Sequence, residues 1–190
     1  MDRRARQGDV GGAAGMTRIA AHPYVMMALN NAWANARLYH VLQELPAGAF
    51  TDARPGFFPS LCRTMNHIHE VDLFYIDALE DGGRGRTVYD RQDIADPEEL
   101  AHQQSQADMR LAAFCRGLTE PVLAEKRRTE RSSEVVDERV DALLLHLFQH
   151  QIHHRGQAHV QLSHAGVAPP QLDEFYLEYD RHPTAKAYHG

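Results

Sequence analysis

Four segments, each bracketed by proline, glycine or a helix-capping residue, constrain the fold of this chain more than any other feature. Apolar residues recur in them at the three- and four-residue spacing of an amphipathic helix. Ser60 is a plausible N-cap, Asp96 precedes Pro97 at a first helical position, and Gly117 ends the third segment. The predicted helices cover residues 23–45, 60–80, 96–117 and 137–164. Four such helices predict an all-α protein built as a four-helix bundle.

The remaining segments define the domain organisation. Residues 121–136 are polar and predict a long connection with some extended structure before the last helix. Residues 1–15 are rich in Gly and Ala, carry arginines and lack the apolar stretch of a secretory signal. We therefore predict a disordered N-terminal tail at residues 1–15 and one domain over residues 16–190.

Composition argues against several classes of protein. The 190 residues have a formal net charge of -6, whereas a general nucleic-acid binder presents a basic face. No apolar run in the sequence is long enough to span a membrane. The two cysteines, Cys62 and Cys115, lack C-x-x-C spacing and are too few for a disulfide framework. We expect no nucleic-acid partner, no membrane association and a cytoplasmic location.

The last predicted helix is dense in histidine: six of the 13 histidines lie between His146 and His164. On a helical projection, His150 and His154 lie one turn apart at the edge of the apolar face, and His146 and His153 lie farther from the core. Two imidazoles with this spacing can share one metal ion. The alternative is a solvated histidine-rich face, and the spacing alone gives both interpretations equal weight.

A third ligand must come from another helix. His67 and His69 both flank the apolar stripe of the second predicted helix, and periodicity does not choose between them. His22, which precedes a helix start, and His102, on a polar face, are weaker candidates. The sequence contains no H-E-x-x-H, Walker or G-x-S-x-G motif.

Three segments together resemble the DinB family, which includes the YfiT-like proteins. They are NAWANARLY at residues 31–39, MNHIHEVD at 65–72 and, the most specific, HLFQHQIHHRGQAH at 146–159, followed by PQLD at 170–173. The resemblance covers most of the chain from about residue 22 onward. Two positions depart from the family pattern, because Gln149 stands where many relatives have Asn and Tyr75 where many have Trp. Both could alter the wall of the pocket.

The resemblance implies a four-helix bundle of the DinB/YfiT type with a metal site. One histidine ligand comes from the second helix and two come from the fourth. Carried over residue by residue, the ligands fall on His67, His150 and His154. The resemblance thus selects His67 over His69, and it also implies a homodimer, because relatives often form dimers.

The chemistry of this donor set favours catalysis. Three protein ligands leave one coordination position open, which is the pattern of catalytic and not of structural metal sites. Zinc and nickel suit imidazole ligands, so we expect one of these as the cofactor.

The resemblance implies a divalent-metal-binding protein that acts as a metal-dependent transferase or hydrolase on a small-molecule substrate. Characterised relatives include thiol S-transferases and a thiol-dependent isomerase, so a low-molecular-weight thiol is the expected co-substrate. The alternative is a metal-binding stress or damage-inducible protein without turnover. A third interpretation, a helical interaction module with a vestigial site, is disfavoured because all three expected ligands are present.

Several polar residues are expected around the ligands. Candidates for orienting the imidazole rings through their second nitrogen are Asp72, Gln157, Asn31 and Asn35. Arg155 and Asp72 project near the apolar stripes of their helices, so we hypothesise that they pair or that one of them faces the site. Alternatively, Arg155 reaches the surface. Trp33 could line the pocket, although such an aromatic residue is more often part of the core.

Overall fold

The computed structural model describes residues 11–189, with side chains from residue 22 onward. Its four long helices are α1 (Gly11–Gln43), α2 (Leu61–Leu79), α3 (Pro97–Arg116) and α5 (Val140–His164), and a short helix α4 (Glu120–Ala124) follows α3. Two 3-10 helices cover Gly85–Tyr89 and Pro183–Tyr188. The predicted tail at residues 1–15 falls mostly on residues outside this description and stays a prediction.

Local capping chemistry sets the starts of α2 and α3 as predicted. The Ser60 hydroxyl accepts a hydrogen bond from the backbone N–H of Arg63 at 3.1 Å, and the Asp96 carboxylate accepts one from Glu98 N–H at 2.9 Å. The predicted start of α1 was wrong, because Pro23 lies inside the helix. The preceding sequence is rich in alanine, which has the highest helix propensity of all residues.

The connection before α5 contains the expected extended structure. Strand β1 (Lys126–Glu130) pairs antiparallel with β2 (Val135–Arg139), and Lys126 lies opposite Arg139. The backbone N–H of Val140, the first residue of α5, donates to the carbonyl of Glu125 at 3.0 Å. The histidine-bearing helix therefore begins directly after the second strand of the hairpin.

The packing of the long helices decides which side chains can meet. Helix α1 packs mainly on α3, and α2 packs mainly on α5. One face of α2 consequently points toward the histidines of α5. Within the described part of the chain, no helix is long and apolar enough to cross a membrane.

A layer of buried polar side chains separates two apolar clusters in the core. One cluster contains Trp33, Leu111, Leu144 and Phe175, and the other contains Leu38, Met65, Leu100 and Leu162. Gln104 on α3 and Gln151 and Arg155 on α5 lie in sequence between members of the two clusters. This polar layer consists of Asn31, Asn35, Asp72, Gln104, Asp108, Gln151 and Arg155.

The polar layer replaces the direct Asp72–Arg155 contact expected from the sequence. Gln151 lies between them: its amide nitrogen donates to Asp72, and its carbonyl oxygen accepts from Arg155 Nη1 at 3.0 Å. Among the described residues, no ion pair joins Asp72 to Arg155 directly. Arg155 is only 5% exposed, so the alternative in which it reaches the surface was also wrong. The buried guanidinium is instead satisfied by amide oxygens of Asn31 and Asn35.

Candidate metal centre

Helices α2 and α5 bring three histidines together across their interface. His67 on α2 and His150 and His154 on α5 offer ligand nitrogens that all lie within 4.8 Å of one another. The Nε2 atoms of His67 and His150 are 3.1 Å apart. The ring centroids of His150 and His154 are separated by 4.3 Å, as expected for residues one helical turn apart. The arrangement can place three imidazole nitrogens around one ion.

Glu70 orients the His67 ring. Its carboxylate lies 3.1 Å from His67 Nδ1, one turn along α2. A carboxylate accepts a hydrogen bond here, so the proton of neutral His67 belongs on Nδ1 and the lone pair on Nε2. Burial opposes ionisation of Glu70, but hydrogen bonds from His67 and Arg63 lower its pKa overall. Glu70 is therefore an ionised orienting group at neutral pH.

Gln157 orients His154 in the same way. Its side-chain oxygen lies 2.8 Å from His154 Nδ1, and its nitrogen lies 3.0 Å from His153 Nε2. With the amide assigned in this sense, His154 carries its proton on Nδ1 and presents Nε2 as a lone pair. The Nε2 lone pairs of His67 and His154 are thus both free to bind an ion.

The surroundings of His150 and His154 keep these two rings neutral. Burial, reinforced by the neighbouring His154 and His67, lowers the pKa of His150 to about 3. Burial also lowers the pKa of His154, although the hydrogen bond that His154 Nδ1 donates to Gln157 acts in the opposite direction. The Nδ1 atom of His150 is buried and has no hydrogen-bond partner among the described residues. Neutral imidazole is the form that binds metal, so these residues fit a divalent cation.

Aromatic side chains cover one side of the cluster. The Phe58 ring centroid lies 4.5 Å from that of His67 and 5.6 Å from that of His154. The neighbouring Phe57 is 76% exposed and lies 6.3 Å from His154 between ring centroids. On another side, His146 lies 6.2 Å from His150 and 5.1 Å from Tyr75. The cluster therefore has an apolar cover and a rim that includes a further imidazole.

The other residues predicted near the site lie in different places. Asp72, Asn35 and Arg155 belong to the polar layer, and Gln157 is the predicted neighbour that contacts a histidine of the cluster. Trp33 packs against Phe175 with ring centroids 5.5 Å apart, and it lines a cavity that shares no residue with the cluster.

His69 faces the opposite way from His67. It is 2% exposed and lies near Gln103 and Gln104 of α3, and burial lowers its pKa to about 4. Helix α2 contacts α3 on the side of His69 and α5 on the side of His67, so opposite faces of this helix meet different partners.

Sequence reasoning missed Glu70, Phe57 and Phe58. The three-residue spacing of Glu70 after His67 was a usable signal for a carboxylate that supports a metal ligand. No periodic signal marks the two phenylalanines, because they lie in the connection between α1 and α2.

Comparisons with known proteins identify the family and the fold of this chain. The model of the DinB family matches residues 16–184. The curated Protein DinB of Bacillus subtilis (strain 168) is 26% identical over 153 residues, which cover 75% of this chain and 86% of that protein. A solved DinB-like protein from Bacillus cereus ATCC 10987 superposes with a TM-score of 0.63 at 17% identity, covering 79% of this chain and 95% of that one.

A second solved structure, the DinB-like protein YjoA from Bacillus subtilis, has a TM-score of 0.57 at 19% identity. The similarity covers 79% of this chain and 96% of that one. These two structures show the same helical fold, and the family model spans all three histidines of the cluster. The chain therefore belongs to the DinB family.

Proposed function

We propose that His67, His150 and His154 bind one divalent ion, zinc or nickel, and that the protein is a metal-dependent transferase or hydrolase of a small molecule. A low-molecular-weight thiol is the proposed co-substrate. The observation that carries the proposal is the convergence of three ligand nitrogens within 4.8 Å of one another. Three neutral imidazoles leave the charge of the ion uncompensated and one coordination position open. When bound, such an ion supplies Lewis acidity that lowers the pKa of a thiol or a water molecule.

Neighbouring residues fix the orientation and protonation of the ligand rings in the absence of an ion. Glu70 and Gln157 hold His67 and His154 with Nε2 unprotonated, and burial keeps His150 neutral. Metal ligands whose second nitrogen is fixed in this way lose little orientational freedom on binding. Phe58 limits access of water to two of the three rings.

His146 is the proposed proton acceptor beside the cluster. It is exposed on the solvent side of α5, and its ring lies 6.2 Å from that of His150. Burial and the neighbouring Arg131 lower its pKa, so the ring is neutral at pH 7 and can take a proton from a thiol or a water molecule.

Metal content of the purified full-length chain is the first test. We expect close to one divalent ion per chain by elemental analysis. His150→Ala and His154→Ala should lose tight binding. His153→Ala is the matched control, because this exposed residue lies on the same helix outside the cluster and should retain the ion. Wild-type protein that binds no zinc or nickel would contradict the proposal.

Turnover is the second test. The metal-loaded protein is assayed with a panel of low-molecular-weight thiols and electrophiles and with simple esters. Thiol transfer or hydrolysis that His150→Ala abolishes would support an enzyme. One bound metal without turnover on any of these compounds would instead support the non-enzymatic metal-binding protein.

A further inference from the structure

A cavity lies between α1 and the C-terminal segment, and none of its described lining residues belongs to the histidine cluster. It has a volume of about 400 Å³, which is within the range of small-molecule pockets. Its walls are formed by Trp33, Ala36, Arg37, His40, Val41, Pro170, His182, Thr184 and Tyr188.

The guanidinium of Arg37 is the feature of this cavity that lacks a structural explanation. Nη1 of Arg37 is buried and has no hydrogen-bond partner among the described residues. Within the described part of the chain, no carboxylate lies within ion-pair distance of Arg37. The Cζ atom of Arg37 lies over the Trp33 ring, 5.2 Å from its centre. The Arg37 side chain as a whole is half-buried. Its Nη1 atom, however, has neither solvent nor an acceptor among the described residues. Leaving such a donor unpaired costs free energy, so the guanidinium favours an anionic group as its partner.

The surrounding side chains favour an anion and not a cation. None of the described residues that line the cavity is Asp or Glu. The carboxylate of Glu44, just beyond the end of α1, lies 3.7 Å from the exposed His40 and is not among the residues that line the cavity. The backbone N–H of Thr184 donates to His182 Nδ1 at 3.2 Å, which places the proton of the neutral His182 ring on Nε2 as a further donor.

The apolar walls select an organic anion over an inorganic one. Trp33, Val41, Pro170 and Tyr188 present hydrocarbon and aromatic surface beside the Arg37 guanidinium. The Trp33 ring is held in place because its Nε1 donates to the Thr184 hydroxyl at 3.0 Å. A planar carboxylate matches the fork of a guanidinium, and an apolar body attached to it would cover these walls.

We propose that this cavity is a binding site for a small organic carboxylate with an apolar or aromatic body, held by Arg37 against Trp33. The site is independent of the metal centre, so the result of the binding experiment below does not bear on the proposed function.

Trp33 is the single tryptophan of the chain, and its emission therefore reports on this cavity alone. The full-length protein is titrated with benzoate in a buffer free of other carboxylates and of phosphate, and Trp33 fluorescence is recorded. Benzamide, which has the same shape without the charge, and inorganic phosphate, which has the charge without the apolar body, are titrated in parallel. We expect saturable binding of benzoate, and binding of benzamide and phosphate that is at least about tenfold weaker.

Arg37→Gln should weaken benzoate binding by about tenfold or more, and Arg37→Lys should weaken it less because the charge remains. Arg116→Gln is the matched control, since it removes the same charge from an exposed position at the end of α3. Circular dichroism establishes that each variant is folded. Absence of saturable benzoate binding to the folded wild type would overturn the proposal. Equal benzoate affinity in the folded Arg37→Gln variant, or phosphate binding as tight as that of benzoate, would overturn it too.

Discussion

The carboxylate of Glu70 lies 3.1 Å from Nδ1 of His67, one turn along α2. Arg63 approaches the same carboxylate oxygen at 2.9 Å. Arg63 and His67 thus both hydrogen-bond to this carboxylate. The carboxylate fixes the orientation of the His67 ring, which lies against α5. This relationship makes Glu70 a positioning residue for the proposed metal centre.

Removing this carboxylate should weaken metal binding. We expect Glu70→Ala to lower the zinc affinity by roughly 10- to 100-fold, because the His67 ring loses the partner that fixes its orientation and proton. The affinity is measured by competition with a chelator of known strength. Glu44→Ala, which removes an exposed carboxylate just beyond the end of α1, is the control and should bind zinc as the wild type does. An unchanged affinity in Glu70→Ala would mean that the ring is positioned by packing alone.

Fewer than three protons should compete with the metal ion for the three histidine ligands between pH 6 and 5. The sequence predicts release of the ion below about pH 6, where free histidines protonate. The pKa of His150 is lowered to about 3, so this ring stays neutral in the apo protein at pH 5. Between pH 6 and 5, the logarithm of the zinc affinity should therefore fall by at most two per pH unit. A slope of three in chelator competition would show that His150 titrates with the other two ligands.

The buried carboxyl of Asp72 should make wild-type stability fall as pH rises. Burial, with the nearby Asp108, raises the pKa of Asp72 from 3.8 to about 8. Between these values the folded state binds more protons at this carboxyl than the unfolded state does. Its contribution to stability is therefore complete at acidic pH and is lost as the pH approaches 8.

Asp72→Asn removes this titration and keeps the shape of the side chain. Relative to the wild type, its free energy of unfolding should rise by roughly 2–4 kcal/mol between pH 4 and 8. Urea unfolding at a series of pH values measures the difference. The exposed Asp180→Asn serves as the control and should show no such trend. A difference between wild type and Asp72→Asn that is independent of pH would place the Asp72 pKa near its ordinary value.

Gln151 should be important for stability, because it bridges two buried polar groups of the layer. Gln151→Leu leaves Asp72 and Arg155 each without one hydrogen-bond partner. We expect a loss of about 1–3 kcal/mol in the free energy of unfolding, measured in urea. Gln149→Leu, at an exposed position on the same helix, should change stability by less than about 0.5 kcal/mol. Equal effects of the two substitutions would argue against the bridge.

Local signals in the sequence were sufficient for much of the fold. Ser60 and the Asp96–Pro97 pair act through hydrogen bonds or dihedral preferences within one turn of the chain, so they could be recognised without the rest of the molecule. The i, i+4 spacing of His150 and His154 is equally local, and the structure keeps these two rings in contact.

What the sequence alone determined is therefore the helical character of the chain, most helix boundaries and the histidine pair on α5. The tertiary structure decided which helix faces which. It turns His67 toward α5 and His69 toward α3, and it places Gln151 between Asp72 and Arg155. It also puts Trp33 in a cavity away from the metal centre. The physical reason is that a helical projection gives the direction of a side chain about its own axis, whereas its contacts depend on the neighbouring helix, which is distant in sequence.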